Sequence, residues 1–401
     1  MSDFPDQSAK NGLKELPVTP RLQEPLTLRG LTLANRSVIA PMCMYSATDG
    51  LANDFHLVHL GRFALGGAGL VIVEATAVQP QGRITHGDLG LWHEGQVEPL
   101  ARIAAFLKQQ GSAAGIQLAH AGRKASMQRP WHGNGPMNAN DATRGEHTWS
   151  VVAPSAMAVE PGWLMPREMT PDDIAVLKRD FRLAAERALR AGFEVVELHC
   201  AHGYLLHSFL SPLTNQRHDG YGGDRAGRMR LPLEVAAILR EVWPQVLPVF
   251  VRVSAVDAVE NGWSIADTVA FATELKRIGI DVIDCSSGGI TTSPTASAVP
   301  REYGFQLPYS QAVREGAAIA TMAVGLIVDA QQAERALQEG QADLVAIARQ
   351  ALEDPNWPVK ALGALRTDQP VQERYAHWPN PYGWWLARRA KLIDRLGPWQ
   401  G

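Results

Sequence analysis

A short apolar run followed by a longer amphipathic stretch recurs eight times between residues 37 and 347. The apolar runs are rich in Val, Ile and Leu and lie at residues 37–40, 70–74, 114–118, 194–198, 249–253, 282–285, 322–324 and 344–347. Continuous apolar runs of this length are typical of strands that are buried on both faces, as in a parallel sheet. Eight strand–helix units therefore predict an α/β fold, a single-domain (β/α)8 TIM barrel.

The clearest helix pattern covers residues 170–192, where Thr170 suits the N-cap, Pro171 the first turn and Asp173 the capping-box position. Residues 265–279 and 329–340 have the same form. A doubly wound sheet is the alternative fold, but no G-x-G-x-x-G follows an early strand. We therefore expect a poorly ordered polar extension at residues 1–24, the barrel at 25–365 and an aromatic tail at 366–401.

Net charge, cysteine content and the length of the apolar runs limit the class of protein and its partners. The formal net charge is -3, which gives no electrostatic footprint for nucleic acid or for an anionic membrane. The cysteines, Cys43, Cys200 and Cys285, are too few and too scattered for a disulfide framework. The first residues carry no secretory signal, and no apolar run is long enough to span a bilayer. We expect a cytoplasmic enzyme that acts on small molecules and has neither nucleic-acid nor membrane partners.

The active site of a TIM barrel lies at the carboxyl ends of the strands, so the residues that follow each apolar run are the candidates. Cys43 and Tyr45 follow the first run, in P-M-C-M-Y. A cysteine taken at random is most often inert packing, but this position favours a site. Gln117 is a polar residue inside an apolar run, and either neighbouring backbone or a ligand must satisfy its amide.

Three histidines and a tyrosine lie in E-L-H-C-A-H-G-Y-L-L-H, residues 197–207. The spacing is not the H-E-x-x-H of metalloproteases, no Cys pair accompanies it, and no G-x-S-x-G supports a serine hydrolase. His199 and His202 lie three residues apart on a predicted turn, where two N–H donors suit an oxyanion. Tyr204 adds a hydroxyl that could deliver a proton, whereas we expect His207 to be a structural helix residue.

A phosphate-bearing cofactor is indicated by residues near the last two strands. Gly325 and Arg349 follow those strands, and the loops there commonly bind phosphate in TIM barrels. Arg252 lies inside an apolar run and needs an anionic partner if it is buried. Flavin mononucleotide (FMN) would use these groups together with Gln117 and Cys43. We expect no metal site.

Long motifs at these positions resemble the Old Yellow Enzyme ene-reductases, within them the bacterial thermophilic-like class. The resemblance runs from about residue 25 to 365. The motifs are A-P-M-C-M-Y at residues 40–45, E-A-T-A-V-Q-P-Q-G-R-I at 74–84, G-I-Q-L-A-H-A-G-R-K at 115–124 and H-C-A-H-G-Y-L-L-H-S-F-L-S-P-L-T-N-Q-R-H-D-G-Y-G-G at 199–223.

The resemblance implies an FMN-dependent enzyme in which NADPH or NADH reduces the flavin. The flavin then transfers a hydride to the β-carbon of an activated alkene, such as an enone, enal, maleimide or nitroalkene. His199 and His202 would bind the activating group, Tyr204 would protonate the α-carbon, and Tyr45 would line the substrate pocket. The residues implied to contact FMN are Ala40, Pro41, Met42, Cys43, Ala75, Gln117, Arg252, Gly325, Ala348 and Arg349.

The resemblance also implies a homodimer or homotetramer, and the aromatic tail makes Trp378 and Tyr382 candidates for a neighbour's active site. Packing on their own barrel is the alternative. The loop at residues 289–306 looks individual, so the substrate range does not carry over. Three other classes of protein compete: a 2,4-dienoyl-CoA reductase-like enzyme, which would need clustered cysteines, a non-catalytic flavin-binding protein, and a metal-dependent barrel hydrolase. The two histidines and Tyr204 argue against a protein that only retains flavin.

Overall fold

The protein is described by a computed structural model over residues 19–291, 299, 301–366, 370 and 373–399. Eight parallel strands close into a barrel in which each barrel strand pairs with the next along the chain and the last pairs with the first. The barrel strands are β3 (Ser37–Ile39), β4 (Leu70–Ala77), β5 (Ala113–Ala119), β8 (Val195–Cys200), β9 (Val249–Ser254), β10 (Val282–Ser286), β11 (Ala320–Ala323) and β12 (Leu344–Ile347). Two short strands, β6 (Val152–Ala153) and β7 (Arg167–Glu168), form a separate sheet outside the barrel. The TIM barrel is confirmed, and all eight predicted runs are barrel strands.

Helices surround the barrel. They are α1 (Asp54–Leu65), α2 (Val97–Gln109), α3 (Ala139–Ala142), α4 (Pro171–Arg190), α5 (Leu205–Leu210), α6 (Arg225–Val242), α7 (Ile265–Ile278), α8 (Leu307–Ala317), α9 (Ala330–Gln338), α10 (Arg349–Glu353), α11 (Trp357–Ala364) and α12 (Asn380–Leu396). The predicted capping box of α4 is present, because Thr170 Oγ1 accepts from the Asp173 N–H and the Asp173 carboxylate accepts from the Thr170 N–H. The other two predicted helices are α7 and α9.

The strands are apolar because both of their faces are covered. Every residue of β4, β5, β8, β9 and β10 is buried. One hydrophobic core lies between the barrel and its helices, and a second lies inside the barrel, with most of its residues near the amino ends of the strands. An antiparallel hairpin that the sequence did not predict, β1 (Leu26–Leu28) with β2 (Leu31–Leu33), packs against this second core. The opposite end, at the carboxyl ends of the strands, is the end left for a site.

The predicted N-terminal extension and the C-terminal tail are described only in part. Residues 1–18 of the predicted extension are outside the described residues. Arg21–Gln23 form a short 3-10 helix in which Leu22 is fully buried and donates its N–H to Glu334, so packing begins before residue 25. The tail contains α12, in which Tyr382 is 46% exposed. No helix within the described residues is long and apolar enough to cross a membrane.

Candidate active site

The predicted histidine motif forms a sharp turn at the carboxyl end of β8. His199 is the penultimate residue of the strand, and Tyr204 lies at the N-cap of α5. Between them His202 and Gly203 adopt left-handed backbone conformations, with φ of +61° and +76°. Such a φ is unfavourable for a residue with a side chain, so the surrounding structure must hold His202 in place.

The two imidazoles are bonded to each other. His199 Nδ1 accepts from the Ala201 N–H at 3.1 Å, so the proton of this ring is on Nε2, which lies 3.3 Å from His202 Nδ1. His202 Nδ1 is then the acceptor, and His202 Nε2–H donates to Ser286 Oγ at 2.7 Å. The expected convergence of two N–H donors on one point is therefore not what the structure shows, because one ring donates to the other.

The electrostatics of the turn explain this arrangement. Burial lowers the pKa of both His199 and His202 well below its usual range, and the charge of Arg252 lowers both further. Both rings are consequently neutral at pH 7. A neutral imidazole has one donor and one acceptor nitrogen, so two neighbouring rings can form a directed chain of hydrogen bonds that ends on Ser286.

Tyr204 lies against this pair. Its ring centroid is 5.1 Å from that of His199, with the planes nearly perpendicular at 82°. Cys43, Tyr45 and Tyr204 pack against one small apolar cluster formed by Ile84, Ala121, Ala125 and Val151. Burial raises the pKa of Tyr204, Tyr45 and Cys43 above their usual ranges, so all three keep their protons at neutral pH. The structure thus brings three residues from separate predicted motifs to one place.

A layer of buried polar side chains lies inside the barrel next to the turn. Gln117 Nε2 donates to Glu197 Oε1 at 2.8 Å, and these residues are opposite each other on β5 and β8. Arg252 is opposite both His199 and Asp284, and its Nε lies 3.0 Å from Asp284 Oδ2. The anionic partner that the sequence demanded for Arg252 is therefore Asp284.

This layer contains two carboxyl groups, those of Glu197 and Asp284, and one cationic side chain, that of Arg252. Burial, assisted by the charge of Asp284, raises the pKa of Glu197 to about 8, and burial also raises the pKa of Asp284. Glu197 Oε2 and both oxygens of Asp284 are buried without a hydrogen bond. Arg252 Nε also lacks a well-directed hydrogen bond, although it lies 3.0 Å from Asp284 Oδ2. The layer has unused hydrogen-bonding capacity on both the donor and the acceptor side.

The remaining predicted residues surround the same end of the barrel. They are Ala40, Pro41, Met42 and Cys43 directly after β3, Ala75 within β4, Gly325 shortly after β11, and Ala348 and Arg349 directly after β12. Gly325 has φ of +127°, a backbone conformation that favours glycine, and a Cβ there would lie 2.9 Å from Gln306 Nε2. Arg349 is exposed and is the first residue of α10.

Several neighbours of the turn were not among the predicted site residues. Ser286 and Gln306 bond to each other, and Lys124 Nζ donates to the backbone oxygens of His202 and Gly289. These contacts join residues that are distant along the chain, so no local pattern indicates them. His207 lies buried in α5, as expected for a structural residue, and pairs with Asp257.

Trp378 lies just before α12, and Tyr382 lies in the first turn of that helix. Trp378 lines a cavity of about 550 Å³ together with Val359 and Leu386, residues of α11 and α12. No group of three His, Cys, Asp or Glu residues that could hold a metal ion occurs among the described residues.

The chain is similar to one protein family and to three individual proteins. The model of the NADH:flavin oxidoreductase / NADH oxidase family matches residues 21–368. An NADPH dehydrogenase of Bacillus subtilis is 42% identical over 357 residues, which are 88% of this chain and 98% of that protein. The solved structure of morphinone reductase matches with a TM-score of 0.69 and 27% identity, over 86% of this chain and 89% of that one. An Old Yellow Enzyme homologue of Zymomonas mobilis, 24% identical with a TM-score of 0.69 over 91% of this chain and 98% of that one, shares the fold.

Proposed function

The chain belongs to the NADH:flavin oxidoreductase / NADH oxidase family, that of the Old Yellow Enzymes, and we propose that it reduces the carbon–carbon double bond of activated alkenes. It is an FMN-dependent oxidoreductase that takes hydride from NADPH or NADH. The proposed acceptors are enones, enals, maleimides and nitroalkenes. The observation that carries this proposal is the turn itself, where two neutral imidazoles and a protonated tyrosine lie together.

The polar layer fits the flavin that the family requires. Arg252 is 7% exposed and keeps unused donor capacity, and Gln117 lies on β5, which is separated from the strand of Arg252 by β8 alone. When bound, FMN supplies the redox chemistry, which is hydride acceptance from the nicotinamide and hydride donation to the alkene. A guanidinium next to the ring favours negative charge on the ring, and an amide can bond its polar edge.

We propose that the other predicted residues complete this cradle. Ala40, Pro41, Met42, Cys43 and Ala75 would line the flavin, because they lie at the carboxyl ends of neighbouring strands. Gly325, Ala348 and Arg349 would hold the phosphate, since they follow the last two strands and Arg349 presents an exposed cation.

The histidine pair would hold the activating oxygen of the substrate. The donors in the structure are His199 Nε2–H and His202 Nε2–H, and their present acceptors are His202 Nδ1 and Ser286 Oγ. A carbonyl or nitro oxygen that binds here takes the place of one of these protein acceptors. Because both rings are neutral, they stabilise developing negative charge by hydrogen bonding and do not pass a full proton to the oxygen. Removing one such donor typically slows a reaction on the order of 100- to 1,000-fold.

Tyr204 would protonate the α-carbon. Its raised pKa means that the phenol is protonated at neutral pH and can act as an acid. Tyr45, which packs in the same apolar cluster, would line the substrate pocket. The apolar surroundings of both tyrosines suit the hydrocarbon part of an alkene.

The test uses the colour of the purified enzyme under anaerobic conditions. We expect NADPH to bleach the flavin absorbance and 2-cyclohexenone to restore it, with cyclohexanone as the product. Cyclohexanone added in place of the enone is the matched control, because it presents the same oxygen without the double bond. An enzyme that NADPH bleaches but that no activated alkene reoxidises would refute the proposed substrate class.

A further inference from the structure

The backbone of the catalytic turn is held by buried groups that do not belong to the histidine pair. The His202 N–H donates to Ser254 Oγ at 2.9 Å, and the His202 carbonyl accepts from Lys124 Nζ at 3.0 Å. The next N–H, that of Gly203, donates to His207 Nδ1 at 2.8 Å. These bonds fix a left-handed segment that would otherwise relax, and they set the direction in which His202 and Tyr204 leave the backbone.

His207 is in turn oriented by Asp257, from the loop after β9. The side chains of both residues are fully buried, and His207 Nε2 lies 2.9 Å from Asp257 Oδ1. The second oxygen, Oδ2, accepts from Ser211 Oγ at 2.6 Å and from the Trp263 N–H at 2.7 Å. Burial by itself would raise the pKa of Asp257, but the close contact with the His207 ring and the hydrogen bonds from Ser211 and Trp263 outweigh it and hold this pKa below its usual range.

The direction of these bonds determines where the proton of His207 sits. A backbone N–H can only donate, so Nδ1 must be the unprotonated nitrogen, and the proton is on Nε2, the nitrogen that lies 2.9 Å from the carboxylate. A carboxylate can only accept, and it therefore stabilises this tautomer alone. The opposite tautomer would place two N–H groups, those of Nδ1 and of Gly203, against each other.

We propose that Asp257 is a positioning residue for the catalytic turn, because it fixes the tautomer of His207 that accepts the Gly203 N–H. This inference rests on the proposed function of the turn. It assigns Asp257 and His207 a role in the step that uses His202 and Tyr204, although neither residue contacts the pair of rings through its own side chain.

Asp257→Asn tests the inference with the change of a single atom. The amide must place its oxygen at the Oδ2 position, where Ser211 and Trp263 donate, so its NH2 faces His207 Nε2. That nitrogen must then accept, the proton moves to Nδ1, and the bond to Gly203 is lost. Ser211→Ala is the matched control, because it removes a bond to the same carboxylate without changing the tautomer.

Two readouts are expected to move together. In Asp257→Asn, kcat for reduction of 2-cyclohexenone should fall on the order of 10- to 100-fold, with bleaching by NADPH unchanged, since small misplacements of reacting groups cost that much. Spectra of enzyme labelled with ¹⁵N-histidine should show the His207 tautomer inverted in Asp257→Asn and retained in Ser211→Ala. The His207→Gln spectrum identifies the His207 signals among the 12 histidines.

The outcomes separate the inference from the proposed function. An inverted tautomer with an unchanged rate of enone reduction, or an equal loss of rate in Ser211→Ala, overturns the inference. If the enone fails to reoxidise even the wild-type enzyme, the proposed function is refuted, and an uninverted tautomer in Asp257→Asn then overturns the inference independently. Should Asp257→Asn not fold, His207→Gln and His207→Leu replace it. Gln keeps an acceptor for Gly203 and should be the faster of the two, and equal rates would overturn the inference.

Discussion

Replacing Arg252 by Met should reveal how strongly the polar layer depends on its single cation. Arg252 is 7% exposed, Asp284 is fully buried, and both oxygens of Asp284 lack a hydrogen bond, so the Arg252 ion pair at 3.0 Å is the contact that compensates this carboxylate. Removing one partner of a buried pair typically costs about 3–5 kcal/mol because the other charge stays buried. We expect a loss of that size in the free energy of unfolding of Arg252→Met at pH 8.

The assay is urea unfolding of Arg252→Met and of the double variant Arg252→Met/Asp284→Asn, with the flavin content of each measured by absorbance. The double variant should be the more stable of the two at pH 8, since it buries no unpaired carboxylate at this position. Burial raises the pKa of Asp284 in the folded state, so between the unfolded-state and the folded-state pKa of this carboxyl the folded protein binds more protons than the unfolded one. The stability of Arg252→Met should therefore rise as the pH falls from 8 to 5. Equal stability of the two variants, at every pH, would refute the charge-pairing argument.

Two further predictions concern the backbone of the turn. Burial, assisted by the charge of Arg123, lowers the pKa of Lys124 to about 8, so Nζ loses its charge and holds the His202 carbonyl less firmly as the pH rises through about 8. The rate of flavin reoxidation by the enone should fall over that pH range in the wild-type enzyme. In Lys124→Met the rate should be low at every pH and should not show this fall. A fall of the same size in Lys124→Met would contradict the role of Lys124. In Gly203→Ala the new Cβ would lie 2.1 Å from the Gly289 carbonyl oxygen at φ of +76°, whereas Gly162→Ala has a similar φ of +89° and nothing within 4 Å. In urea unfolding, the free energy of unfolding of Gly162→Ala should fall only by the cost of the left-handed backbone, about 1–2 kcal/mol. The free energy of unfolding of Gly203→Ala should fall by more, and its flavin should also be reoxidised slowly. Equal losses of stability in the two variants would show that the close approach to Gly289 is unimportant.

The barrel could be predicted because each strand is covered on both faces. Their residues are apolar without alternation, and that pattern is present in the sequence before any contact is known. The predicted run at 322–324 starts two residues after the beginning of β11, which is Ala320. The first two residues of this strand are alanine and threonine, which do not extend the apolar pattern. The hairpin β1–β2 was not predicted, because its alternation of Leu and Thr over three residues is too short to identify a strand.

The position of the candidate site could be predicted from the sequence, but its hydrogen bonds could not. Barrel geometry brings the ends of separate strands together, so His199, Tyr204, Cys43 and Arg252 could be assigned to one place. Which atoms bond depends on register and rotamer. The pair of His202 and Ser286 spans 84 residues, and that of Gln117 and Glu197 spans 80, so no local pattern contains either. The direction of the bond between the two imidazoles follows only once burial and the Ala201 N–H are known.

The central claim, that Tyr204 protonates an alkene held by the histidine pair, is tested most directly by the two half-reactions of Tyr204→Phe. The phenyl ring can keep the edge contact with His199, which is a contact of rings 5.1 Å apart, so the variant removes little besides the hydroxyl. In rapid-mixing experiments we expect unchanged bleaching by NADPH, and reoxidation by 2-cyclohexenone slowed on the order of 100- to 10,000-fold. Equal rates to the wild-type enzyme in both half-reactions, or an equal slowing of both, would contradict the claim.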